Sequence, residues 1–101
     1  SDLIVSPATE DQEADLISGL NADVNKKYLW RVADIRLAFP FVKEALVKKL
    51  LEDAGFSHKA KNNLKGDSIR RAGWAWTTYG TAEIPCEGIG NPEDLKPRQK
   101  S

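Results

Sequence analysis

Apolar positions recur along this chain with two different periods, and the change of period falls at Gly55. Ahead of it, Leu16, Ile17, Leu20 and Val24 return at helical spacing, which predicts an amphipathic helix over residues 7–24. Ser6 before Pro7 is a helix-start signal, and Thr9 three residues before Gln12 offers a capping box. The acids nearby suit the positive end of a helix dipole, while Gly19 counts weakly against the helix. Residues 28–39 carry both periods: Tyr28, Val32, Ile35 and Phe39 make a helical stripe, whereas Ala33, Ile35, Leu37 and Phe39 alternate like a strand. The expectation is a helix entered through a short extended piece at 29–31 and ended by Pro40, which disfavours α geometry at Phe39. In FVKEALVKKLLEDAG, Val47, Leu50, Leu51 and Ala54 stand at i, i+3, i+4 and i+7, with Gly55 where a left-handed C-cap belongs. Phe41, Ala45, Lys48, Lys49 and Glu52 fall on the opposite face, which is left open to a partner.

Beyond Gly55 the period becomes two. GWAWTTYG sets Trp74, Trp76 and Thr78 against Ala75, Thr77 and Tyr79 between two glycines, and Phe56 to His58 is its expected antiparallel partner. Between them, Asn62, Asn63, Gly66, Asp67 and Ser68 form turns, so the pair reads as a β-hairpin with a long basic tip. Pro85, Gly88, Gly90, Pro92 and Pro97 break any periodicity afterwards. The division expected is a tail at 1–6, one domain at 7–85 and a loop or linker tail at 86–101.

Length and composition agree with a single globular domain: 101 residues, 41% apolar and 30% charged. No apolar run approaches the ~20 residues of a membrane span, and no basic start with an apolar stretch marks a signal peptide. The lone Cys86 excludes an internal disulfide and suits a reducing compartment, so a cytoplasmic address is expected, nuclear in a eukaryote. The zero net charge conceals a division of sign. Residues 1–25 hold six carboxylates and no Lys or Arg, whereas residues 26–73 hold twelve Lys and Arg against five carboxylates. One face meeting an anionic partner explains such a division, as does a merely solvated surface.

Chemistry-bearing constellations are missing from the sequence. His58, the single histidine, has no ligand-spaced neighbour, Cys86 has no basic neighbour in sequence, and Lys65–Gly66 lacks the spacing of a phosphate-binding loop. No catalytic residue, metal ligand or cofactor is expected, and the chain reads as a binding module rather than an enzyme. A short turn between two helices, the second with an open basic face, is the logic of a helix-turn-helix, and the hairpin supplies a wing. The fold class expected is therefore mainly α with a small β-hairpin: three helices plus wing, with Phe56, Trp74 and Trp76 anchoring the strands on the helices. The alternative reading of Trp74 and Trp76 is stacking on nucleobases, and Trp30 is read as core.

VADIRLAFPFVKEALVKKLLEDAGF, continued by RRAGWAW, resembles the winged helix-turn-helix family over residues 9–80. More narrowly, KKLLEDAGF, a basic loop and RRAGWAW are similar to the C-terminal origin-binding domains of phage- and plasmid-type primase-helicases. The resemblance implies contact with double-stranded DNA, at a replication origin or operator, through Lys48, Lys49, Lys59, Lys61, Arg70 and Arg71 as part of a larger oligomeric protein. The basic loop adds Lys65 to the candidate site. Glu44, Glu52 and Asp53 depart from a purely basic third helix. An acidic protein partner and RNA are the alternative ligands. Four to six phosphate contacts imply a salt slope of binding on the order of −4 to −5.

Overall fold

A computed structural model describes residues 7–97. It has three helices, α1 (Pro7–Asn21), α2 (Val32–Ala38) and α3 (Glu44–Asp53), followed by an antiparallel hairpin of β1 (Phe56–Asn62) and β2 (Arg71–Trp76). Short 3₁₀ turns occupy Asp23–Lys27 and Pro92–Leu95. This is the mixed α+β layout of a winged helix. The piece expected to be extended before α2 is extended, and Trp30 pairs antiparallel with Trp74, an isolated bridge that joins this piece to the hairpin.

Each helix follows from its pattern with some narrowing. α1 buries Leu16 and Leu20 but leaves Ile17 exposed, and it ends at Asn21 rather than residue 24, so Val24 stands exposed in the 3₁₀ turn that follows. It begins at Pro7, which places Thr9 inside its first turn, while Ser6 lies outside the described residues. Gln12, the last residue of the expected capping box, reaches outside the helix. Its Oε1 accepts from the Phe41 amide at 2.9 Å and so pins the α2–α3 turn to α1. α2 closes where Pro40 requires, with the Phe39 amide donating to Ile35 at 2.9 Å. α3 buries Val47, Leu50 and Leu51 and ends at Gly55, whose φ of +100° needs a residue without Cβ.

The sheet is covered on both faces, a consequence of its period of two. Phe56, Trp30 and Trp74 point into the main core with Leu16, Leu20, Ile35, Phe39 and Leu51. Leu29 and Ala75 point the other way, into a second cluster with Leu64 and Cys86, against which Tyr79 packs. β2 ends at Trp76 rather than continuing to Tyr79: Thr77 has φ +43° and the Tyr79 amide turns back to the Trp76 carbonyl at 2.9 Å. β1 conversely runs on to Asn62, with an extra residue between Lys59 and Asn62 forming a bulge. The Asn62 amide group donates to the carbonyls of Lys59, Arg71 and Gly73 and holds that bulge closed.

Residues after Pro85, expected as loop or linker, are irregular in backbone yet pack in place. Cys86 is fully buried, and Leu29 exchanges backbone bonds with Gly88 and Gly90 at 2.9 and 2.8 Å. Leu95 sits in the main core against α1. Buried Asn25 ties the same ends together, donating to the Gly19 carbonyl at 2.8 Å while its own carbonyl accepts from the Trp30 indole at 2.8 Å.

Gly19 thereby acquires a reason. A Cβ there would collide with the Leu95 backbone, so the helix has a glycine where another backbone must approach. In an unencumbered helix Gly→Ala gains about 1 kcal/mol. Here Gly19→Ala is expected to destabilise the domain by about 1–3 kcal/mol in urea unfolding, since overpacking outweighs propensity. Gly88→Ala, where a Cβ meets nothing within 4 Å, is expected to change stability by less than about 0.5 kcal/mol.

Candidate nucleic-acid interface

Lys48 and Lys49 lie exposed on α3 together with Ala45 and Glu52, the face left open by the burial of Val47, Leu50 and Leu51. Lys49 is paired with Asp53 at 3.3 Å one turn on. Lys48 has no ion pair among the described residues and borders an open cleft of about 550 Å³ between α3 and the hairpin. Arg31, at the start of α2, and His58, on β1, share that cleft, whose remaining walls are Val32, Ala72, Gly73 and Trp74. Three potential cations thus converge from three elements. His58 stands in register with Trp74 and rests edge-on against its ring, 5.6 Å between centroids.

The hairpin divides its basic residues by face. Lys59 is the neighbour of His58 in an extended strand, so it points to the opposite side. There its Nζ donates to the Tyr79 carbonyl at 3.2 Å, above the second cluster and away from the α3 cleft. Lys61 and Arg70 are exposed and carry no ion pair among the described residues, Lys61 beside the bulge and Arg70 in the loop before β2. Lys65 and Arg71 are both engaged, Lys65 with Glu87 at 2.7 Å and Arg71 with Asp67 at 2.8 Å. Of the seven basic residues singled out from sequence, Lys48, Lys61 and Arg70 are therefore uncommitted.

The engaged cations are not locked. Exposed pairs of this kind contribute about 0.2–1 kcal/mol and weaken with salt, so a phosphate can displace the carboxylate at little cost. The two loop pairs differ in what they do locally. Asp67 Oδ1 accepts from the Ile69 amide at 2.9 Å, and its other oxygen takes Arg71, so one carboxylate shapes the hairpin tip. The backbone donor first, and the guanidinium second, hold its carboxyl below the usual range. Glu87 correspondingly raises the Lys65 ammonium by its hydrogen bond and its charge.

Arg31 is the contributor that sequence reasoning missed. Its only signal was a basic residue directly after the extended piece, and its guanidinium is shared with Asp34 at 2.7 Å. The reading of the aromatics holds: Trp30 and Trp74 are buried, and Trp76 is half-buried with its indole donating to the Ala54 carbonyl at 2.9 Å. Lys26 lies over the Trp76 ring, 4.7 Å from its centroid. Cys86 does have a basic neighbour in space, Lys59, contrary to its sequence surroundings. Burial nevertheless dominates and pushes the thiol up.

Among the described residues no group of three or more His, Cys, Asp or Glu is placed to hold a metal ion, and no helix is long and apolar enough to cross a membrane. No protein-family model, curated protein or solved structure matches the chain.

The Asp67 arrangement has a measurable signature. A carboxyl titration by NMR is expected to place Asp67 below the ordinary value of about 3.9. Arg71→Ala should raise it only part of the way, because the Ile69 amide remains. The order this carboxylate gives the loop is present above the ordinary range and is lost as pH falls through the lowered folded value. Full relaxation of Asp67 in Arg71→Ala would show that the ion pair, not the backbone bond, is the larger influence.

Proposed function

We propose that this domain binds duplex DNA without a catalytic step, with α3 and the hairpin flanking the nucleic acid and a replication origin or operator as the natural target. The observation that carries the reading is the convergence of Lys48, His58 and Arg31 on one cleft, with uncommitted Lys61 and Arg70 farther along the same hairpin. Basic side chains brought to one cleft from α2, α3 and the hairpin supply the sequence-independent phosphate contacts that such binding needs, which supports the reading. Base reading by Lys48 alone discriminates little, so specificity is modest for a single domain and rises when several are tethered. The single buried cysteine suits action in a reducing, cytoplasmic setting.

A second reading has its own support. The cleft walls Val32, Ala72, Gly73 and Trp74 are apolar under a cationic rim, which also fits an acidic peptide bearing an apolar side chain.

A duplex titration across salt separates the two. With three to five phosphates neutralised, the slope of log affinity against log salt is expected between about −3 and −4.5. Lys48→Glu and Arg70→Ala should each weaken binding and flatten the slope by about one. Glu87→Gln, which frees Lys65, should tighten it a few-fold and steepen the slope. Absence of duplex binding near about 0.15 M salt, where phosphate contacts still hold micromolar complexes, would overturn the reading; tight capture of an acidic peptide would then replace it.

A further inference from the structure

Leu37 in α2 is 82% exposed, the highest value for a large apolar side chain among the described residues, and Phe41 four positions on is 56% exposed. Neither exposure reflects a loose turn, since the Phe41 amide is held by Gln12 on α1 and the Val42 amide donates to Phe39. Leu37 and Pro40 line a shallow groove of about 340 Å³ with Val32 and Ala33, and the exposed Phe41 follows Pro40 directly in the chain. The groove also takes in Arg36 from α2 and Glu44 from the start of α3. Among the described residues neither is in an ion pair. The Arg36 Nε donates to the Val42 carbonyl at 3.2 Å, which steadies the guanidinium and leaves its other N–H groups available.

We propose that this groove is the interface of a twofold-symmetric dimer of the chain. The argument is its charge pattern. A partner of one charge sign, nucleic acid included, would be attracted by one side of the groove and repelled by the other. A second copy turned through a twofold axis sets Arg36 against the other Glu44 and Glu44 against the other Arg36, around a shared centre of Leu37, Pro40 and Phe41. The patch is small against the roughly 20–30 residues a side of a tight complex, so the dimer is weak. The proposal stands apart from the DNA reading and uses none of its cations, although Val32 lines both the groove and the cleft.

Sedimentation equilibrium over about 10 µM to 1 mM chain, a range that brackets weak self-association, tests it. The mass is expected to rise from one chain towards two. Leu37→Ser, which removes no internal hydrogen bond, should leave a monomer throughout and an unchanged melting curve. Arg36→Glu and Glu44→Arg should each weaken association about tenfold, and the two together should restore it to within about threefold, because the charges then face each other in exchanged positions. A single-chain mass at the highest concentration overturns the proposal. So does a double variant no tighter than either single one, or a dimer that survives Leu37→Ser.

Discussion

Trp30 and Trp74 exchange both backbone hydrogen bonds, at 2.9 and 2.8 Å, and the placement of everything around the cleft depends on that exchange. α2 begins two residues after Trp30, so pairing Trp30 to the hairpin fixes where the helix pair starts relative to β2. Arg31 and His58 come within one cleft because their neighbours in the sheet are joined: Arg31 follows Trp30, and His58 is the cross-strand partner of Trp74. Close approach of this extended piece also requires that β2 have no side chain at position 73. A Cβ on Gly73 would meet the Leu29 side chain at 2.9 Å. The glycine between Ala72 and Trp74 is thus a packing requirement.

Coverage of the far side of the sheet follows from the same geometry. Once Leu29 and Ala75 face away from the helices, something must exclude water from them, and the irregular segment after β2 does so through Cys86 and Tyr79. Its backbone is stitched to both neighbours: the Glu87 amide donates to Lys27 at 2.8 Å and the Lys65 amide to Cys86 at 2.9 Å. Gly90 passes under the Trp30 ring where a Cβ has no room. Buried irregular backbone needs every polar group partnered, and these bonds meet that need without a strand. The hairpin loop is consequently anchored from outside the hairpin, through Lys65 at both its amide and its ammonium.

What could be read from the sequence was whatever repeats. α3 and its exposed face were legible because four apolar residues define a direction, and α2 with its extended approach was legible because Pro40 bounds it on one side. The hairpin was legible in its tryptophans but not in its ends, since the bulge after Lys59 and the positive φ at Thr77 leave no periodic trace. Burial of Cys86 and Leu95 was illegible for a similar reason: isolated residues that each plug one gap have no period. At the interface, alternation along β1 separates Lys59 from His58, a division the rule of two already implied. The pairing of Lys65 with Glu87, 22 residues away, depends on a chain path that only the fold supplies.

Mixed charge on α3 has a physical consequence for any anionic ligand. Lys49 already faces Asp53, and Glu52 is exposed on the same helix, so a duplex approaching along α3 meets carboxylates as well as ammonium groups. Surface pairs are weak enough to be exchanged, but an unpaired carboxylate beside phosphate remains repulsive at every salt concentration where steering operates. Attraction is therefore concentrated where α3 meets the hairpin and fades along the rest of the helix. On the proposed DNA reading, a surface of that kind would hold a duplex at a corner rather than along a stripe, which would favour fast release from one domain and make occupancy depend on how many domains act on the same duplex.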